Sequence, residues 1–228
     1  MAETGPRFVP YAFDRVAADD VERRARAHYE WMDRRRTVRS FSDAPVPRAV
    51  IEDLVRAAST APSGAHRQPW SFVAVSDPAI KKEIRQAAEE EERHNYEGRM
   101  PAEWLAALER LGTNSEKPFL EIAPWLVVLF AQEYGIDAAG ATVRHYYAHE
   151  SVGIAAGFFI AAVHHAGLVT LTHTPSPMGF LQRILERPRN ERAYLLLPVG
   201  YPAIDVVVPD LERKPLQRVL TVFETRGR

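Results

Sequence analysis

The sequence predicts an α+β fold in which helices cover both faces of one sheet, and three observations carry that prediction. WLVVLFA (125–131) and AYLLLPVGYP (193–202) are apolar at nearly every position, as strands buried on both faces are. Around them lie segments whose apolar residues keep helical spacing. The chain has 228 residues, 46% of them hydrophobic, and no internal repeat, which suits one substantial core in a single domain over 1–228.

The elements follow in order. From about Asp20 to Arg35 the sequence reads as a polar helix. Pro45 and Pro47 introduce VPRAVIEDLVRAAS, where Val50, Ile51, Leu54, Val55 and Ala58 form an apolar stripe. The break APSGAH leads into the strand WSFVAVS. Asp77-Pro78 then opens an acidic helix containing QAAEEEERHNYEGRM (86–100). Pro101 starts AEWLAALERL, and Gly112 stops it. After the strand at 125–131, Thr142 to Gly167 reads as one long helix, apolar nearly all round in its second half. Gly153 and Gly157 on it would admit a close neighbour, such as a second subunit. LVTLT (168–172) and AYLLLPVGYP supply two more strands.

Composition excludes several chemistries. Basic and acidic residues number 29 and 30, so the formal net charge is −1, and nothing global favours nucleic acid or an anionic membrane. There is no cysteine, hence no disulfide, thiolate nucleophile or Cys-ligated metal. The longest apolar stretch, SVGIAAGFFIAAV, falls short of the roughly 20 residues that span a bilayer, so the expectation is a soluble, cytoplasmic protein. Neither GxGxxG nor GxxxxGK[ST] is present.

Four places hold chemistry-bearing side chains. RRRTVRSF gathers Arg34, Arg35, Arg36, Thr37 and Arg39, which suit either a phosphate or a solvated helix end. TAPSGAHRQPW (60–70) is a tight turn that either presents amides to a flat polar ring or simply joins helix to strand. In THTPSPMG (172–179) the residue before each proline is held extended, which directs the Thr174 hydroxyl; His173 is a base or a packing residue. His145 and His149 have the spacing of a helical metal pair, yet no third ligand accompanies them, and no metal site is expected. The glutamate run by itself reads as a solvated face.

Taken together, RRTVR (35–39), TAPSGAH with the following PW and FVAV (60–75), the EE–NY–RM pattern of 91–100, T-H-T-P (172–175) and PDLERKPL (209–216) resemble the nitroreductase superfamily of FMN enzymes, and within it the iodotyrosine deiodinases. The resemblance runs from about residue 28 to 217. It implies a three-layer α/β/α sandwich with a central mixed sheet, homodimeric, with a helical active-site lid at about 86–118 and terminal extensions embracing the partner subunit. It implies FMN held by Arg35, Arg36, Thr37, Arg39 and Arg213, with Pro62 and Ser63 lining the flavin ring. Thr172, His173 and Thr174 would run along the flavin, and the Thr174 hydroxyl near its N5 would favour one-electron steps. The Ala65 amide would meet a substrate phenolate. Glu92, Tyr96 and Lys117 would bind the amino-acid part of a halotyrosine, while Glu89, Glu90 and Glu91 stay solvated.

Thr37 stands where serine is common in the family, His173 where threonine is usual and His149 where asparagine is usual. His173 is thereby marked as a residue that alters flavin potential or pH dependence. The implied function is FMN-dependent reductive dehalogenation of halotyrosines, with electrons derived from NADPH, through a separate NAD(P)H-dependent reductase if one is required. The competing readings are a general nitroreductase or quinone reductase, a flavin-fragmenting enzyme of the dimethylbenzimidazole synthase type, and a non-catalytic flavoprotein that binds aromatic amino acids. None of these has a use for the Glu92–Tyr96–Lys117 set except the last.

Overall fold

The computed structural model describes residues 6–224; the outermost residues of both terminal extensions lie outside that range. The chain forms two units, Met1–Arg35 and Arg36–Arg228. In the first, α1 (Ala18–Asp33) carries Asp19 and Asp20 in its first turn, where acidic side chains complement the helix dipole. Ahead of it Phe8, Val9, Tyr11 and Phe13 are exposed.

The second unit is built on a four-stranded sheet. β1 (Trp70–Val75), β2 (Trp125–Gln132), β6 (Glu191–Gly200) and β5 (Val169–Thr170) lie in the order β1-β2-β6-β5. Every pairing among the described residues is antiparallel, which corrects the expectation of a mixed sheet. β2 is buried on both faces, as its unbroken apolar run requires. Val127, Leu129 and Ala131 point into one core with Leu197 and Val199 of β6, under α2 (Arg48–Ala58) and α6 (Ala148–His165). Leu126, Val128 and Phe130 point into another with Leu196, under α3 (Pro78–His94), α5 (Phe119–Ile122) and α7 (Gly179–Ile184). The result is three layers, helix on sheet on helix. Each fully buried Leu or Phe in them contributes about 1.5–3 kcal/mol.

Two expectations change at the start of α6. Thr142–Arg144 is not helical; it is β4, paired antiparallel with β3 (Tyr134–Ile136). The Asp137 carboxylate closes the turn by accepting from Ala139 N at 2.9 Å and Ala141 N at 2.8 Å. The helix starts only after Tyr147, which sits at φ 52°. His145 is therefore outside it, and the supposed helical pair with His149 is not formed. Gly153 does admit a close neighbour, but an internal one. A bulge in β6 leaves Tyr194 unpaired between Ala193 and Leu195, and a Cβ on Gly153 would stand 3.2 Å from the Tyr194 hydroxyl. Gly157 faces open space. No helix of the described residues is long and apolar enough to cross a membrane.

Candidate functional site

Helix α3 delivers the acidic stretch to the site. Asp77 caps it, accepting from Ala79 N at 2.8 Å and Ile80 N at 2.9 Å, and Pro78 occupies the first turn, where its missing N–H costs nothing. Its buried side chains are Lys81, Ile84, Ala88 and Glu92, so Glu92 takes the next place in the stripe that packs on the core. Lys81 at the other end donates to the carbonyls of Glu121 and Ala123, both at 2.8 Å, and closes the C-terminal end of α5. The segment expected as a lid at 86–118 thus begins inside a continuous helix. Beyond His94 the chain turns through a π-type turn (Asn95–Arg99) into α4 (Ala102–Glu109), none of whose residues is buried.

A cavity of about 130 Å³ is lined by Arg39, Glu92, Tyr96, Lys117, Thr172, His173 and Thr174, with Met100, Trp104, Leu108, Thr113, Phe119 and Leu171 completing its wall. Seven of the residues singled out in the sequence are therefore assembled from four distant segments. Lys117 is 3% exposed and Glu92 7%. The Lys117 ammonium lies 3.6 Å from Glu92 Oε2, donates to Thr113 Oγ1 at 3.3 Å and to the Asn114 carbonyl, and stands 5.9 Å from the Tyr96 ring centroid. Burial raises the Glu92 pKa against the opposing pull of Lys117, and burial lowers that of Lys117 against Glu92. Each charge is thus costly alone and held by the other. The Tyr96 hydroxyl is buried with no partner of hydrogen-bond geometry. Burial raises its pKa, with the nearby Thr113 hydroxyl acting in the opposite sense.

Thr172 and Thr174 flank His173 with strand alternation. His173 N donates to the Leu196 carbonyl at 2.9 Å and its own carbonyl accepts from Leu196 N at 3.0 Å, which fixes the segment to β6. The ring meets Phe119 edge-on at 5.6 Å. Burial, with the charges of Lys117 and Arg39, pushes its pKa down to about 3. At neutral pH His173 is uncharged, so its own protonation does not account for a pH dependence there. Its Nε2 is buried without a partner.

Arg39 also lines a second cavity, about 470 Å³, with Thr37, Arg110 and Val207–Pro209. Arg35 ends the N-terminal unit, Arg36 begins the next, and Arg213 lies exposed in the C-terminal tail. None of these three lines either cavity. Pro62, Ser63 and Ala65 do not line them either. They belong to the loop from α2 to β1, where Ala65, His66 and Gln68 have φ of 49°, 54° and 47°. Three non-glycine residues at positive φ in one loop mark stored backbone strain, which concentrates at functional sites. Ser63 Oγ accepts from Gln68 N at 2.9 Å. Gly64 is required, since a Cβ there would fall 2.4 Å from the Tyr146 carbonyl oxygen.

Sequence reasoning missed the wall residues Met100, Thr113, Phe119 and Leu171 and, behind the wall, Asn95. Asn95 is buried, and its amide donates to the Ser176 carbonyl at 2.8 Å, tying the turn after α3 to the segment holding Thr174. Trp104 and Leu108 stand out in the sequence only as apolar members of the AEWLAALERL segment. Glu89 is not solvated as expected: it pairs with Arg85 at 2.8 Å and accepts from Lys117 N at 2.6 Å. Glu91 is partly buried and pairs with Arg99 at 2.6 Å, whereas Glu90 is exposed.

Comparison with known proteins agrees with this fold. The model of the nitroreductase family matches residues 32–201. The iodotyrosine deiodinase of Haliscomenobacter hydrossis is 56% identical over 218 residues, covering 96% of this chain and 98% of that protein. Iodotyrosine deiodinase 1 of Homo sapiens is 43% identical over 220 residues, covering 96% and 76% respectively. Among solved structures, an oxidized iodotyrosine deiodinase bound to FMN and 3-iodo-L-tyrosine superposes with a TM-score of 0.76 at 29% identity, over 87% of this chain and 100% of that one. A BluB-like flavoprotein from Clostridium difficile, at 18% identity and a TM-score of 0.66 over 86% and 98% of the two chains, shares the fold. On the family match, the extent of these identities and the shared architecture, the chain belongs to the nitroreductase family and, within it, to the iodotyrosine deiodinases.

Proposed function

We propose that the protein is an FMN-dependent reductive dehalogenase of halogenated tyrosines, releasing halide and tyrosine. The observation that carries this reading is the buried Glu92–Lys117 pair facing the same small cavity as Thr172–Thr174. A free amino acid presents an ammonium and a carboxylate, and this pair offers one opposite charge to each. Insertion of the zwitterion replaces one buried ion pair by two, and Tyr96 gains a partner for its orphaned hydroxyl. A nitroaromatic or a quinone has no use for the pair, which disfavours a general reductase.

The residues present fit FMN. Thr37, Arg39 and Arg110 place a hydroxyl and two guanidiniums on one cavity, against the single carboxylate of Glu109, a net donor set that suits a phosphate and a ribityl chain. Thr172, Thr174 and His173, whose Nε2 is buried without a partner, line the adjoining one. We assign Arg35, Arg36, Thr37, Arg39 and Arg213 to the phosphate and ribityl end, and Thr172, His173 and Thr174 to the flavin ring. Reduced FMN, when bound, supplies the two electrons that, with one proton, convert the carbon–halogen bond to C–H and release halide as an anion. Glu92, Lys117 and Tyr96 orient the substrate, and α4 with Trp104 and Leu108 closes over it as a lid that excludes water.

Pro62, Ser63 and Ala65 enter this scheme through a second copy of the chain. The strained 63–68 loop then completes the partner's site, with the Ala65 amide at the substrate phenolate. An exposed apolar stripe on α6 (Ile154, Gly157, Phe158) supports a homodimer. So does a tail with exposed Leu216, Val219, Leu220, Val222 and Phe223. An NAD(P)H-dependent reductase is the proposed electron source.

The test is iodide release by the FMN-loaded, dithionite-reduced protein from 3,5-diiodotyrosine and from 2-iodophenol. Release from the first and little from the second is the expected result. No release from either, with tight binding of the amino acid, gives the case to the non-catalytic binder.

A further inference from the structure

We propose that Glu89 is a positioning residue for the amino-acid clamp: its carboxylate grips the Lys117 main chain against α3, so that the Lys117 ammonium is presented to the ligand carboxylate. The inference rests on the reading of the site given above.

Glu89 and Glu92 are three residues apart on α3 and therefore share a face. Both turn toward Lys117, but to different ends of it. Glu89 Oε1 accepts the Lys117 N–H at 2.6 Å, while Glu92 Oε2 lies 3.6 Å from the ammonium. The grip on the main chain matters because residues 113–117 belong to no helix or strand, and α5 has no side-chain cap of its own. The N–H at such a helix entry has no partner within its helix, and Glu89 supplies one from a neighbouring helix.

Glu89 is itself held. Its Oε1 also accepts from Arg85 Nε at 2.8 Å, and Arg85 reaches Glu121 Oε1 at 3.2 Å. The chain Glu121–Arg85–Glu89 thus joins α5, which follows Lys117, to α3. The Glu89 side chain is 16% exposed, unlike a solvated surface charge. Burial acts to raise its pKa, but the Lys117 N–H and Arg85 outweigh it, and the net direction is down. The carboxylate therefore stays ionised and accepting.

The experiment uses the full FMN-loaded protein and the variants Glu89→Met, Glu89→Ala and Glu89→Gln, with 3,5-diiodotyrosine and 2-iodophenol as substrates. Met keeps the packing and has no acceptor. It should raise KM and the calorimetric dissociation constant for diiodotyrosine about tenfold, the effect of losing one charge-assisted hydrogen bond. It should leave turnover of 2-iodophenol within about twofold of the parent, because that substrate has no carboxylate for Lys117 to meet. Gln retains an oxygen for the Lys117 N–H and should recover most of the affinity. An unchanged KM in Glu89→Met overturns the proposal, as does an equal loss on both substrates, which marks a merely structural residue. If Glu89→Met does not fold, Glu89→Ala is read in the same way. Iodide release by the parent tests the proposed function. The ratio of dissociation constants between variants tests Glu89, and remains measurable where no iodide appears.

Discussion

A buried charge is stable only with a partner, and Glu92 and Lys117 each provide the other's. Glu92→Gln keeps the shape and removes one charge. It leaves Lys117 buried against a neutral amide and deprives the ligand ammonium of its counter-ion. Loss of a charged hydrogen bond is worth about 1.5–3 kcal/mol, so diiodotyrosine should bind roughly ten- to a hundredfold more weakly, as calorimetry would show. His173 obeys the opposite rule, being buried neutral. Its folded pKa of about 3 lies below the ordinary 6.5, so between those values the unfolded chain binds the proton and the folded chain does not. Its contribution to stability is full above pH 6.5. It is lost as pH falls toward 3, with a slope of at most about 1.4 kcal/mol per pH unit. Comparing urea midpoints at pH 7 and pH 4.5 should give a smaller drop for His173→Thr than for the parent. An identical drop would show that His173 is not the group responsible.

At the level of elements, α3 does two things at once. Its first half anchors the layer through Ile84 and Ala88, and its second half presents Glu89 and Glu92 to Lys117. Destabilising its beginning should therefore be felt mainly as a loss of fold stability. Asp77→Ala removes the cap that accepts from Ala79 N and Ile80 N, at a cost of about 1 kcal/mol, read as a shift of the urea midpoint with unchanged m. The far end of the helix depends on a different contact, the Asn95 amide on the Ser176 carbonyl. The turn that carries Tyr96 is thereby fixed to the segment that carries Thr174. α4, by contrast, has no buried residue despite its apolar composition, which suits the lid role proposed for it.

At the scale of the whole molecule, Arg36–Arg228 brings Glu92, Tyr96 and Lys117 and the Thr172–Thr174 segment to one cavity, while the Pro62–Ala65 loop lines neither cavity. The second copy proposed above would resolve that division. Phe158, 43% exposed on α6, belongs to the stripe proposed to meet it. Phe158→Asp places a charge in that apolar contact and should shift the protein from dimer to monomer in sedimentation, with loss of bound FMN. Retention of the dimer would move the interface elsewhere on the surface.

The sequence alone determined whatever depends on local pattern. The both-face burial of 125–131, the capped helix from Asp77 and the strand character of 70–75 all follow from side-chain periodicity and turn chemistry. So does the chemical content of the site, because arginines, hydroxyls and a Glu–Tyr–Lys set are visible as residue types. Periodicity reports which face of an element is covered and leaves open what covers it. Gly153 was legible as a close approach, but its neighbour is the chain's own Tyr194, aimed by a bulge. Thr142–Arg144 became a strand because Tyr134–Ile136 stood ready to pair with it. Four consecutive glutamates look alike in a sequence. Only the tertiary structure separated them, placing Lys117, 28 residues beyond Glu89, against one side of the helix so that Glu89 holds its main chain and Glu92 its ammonium.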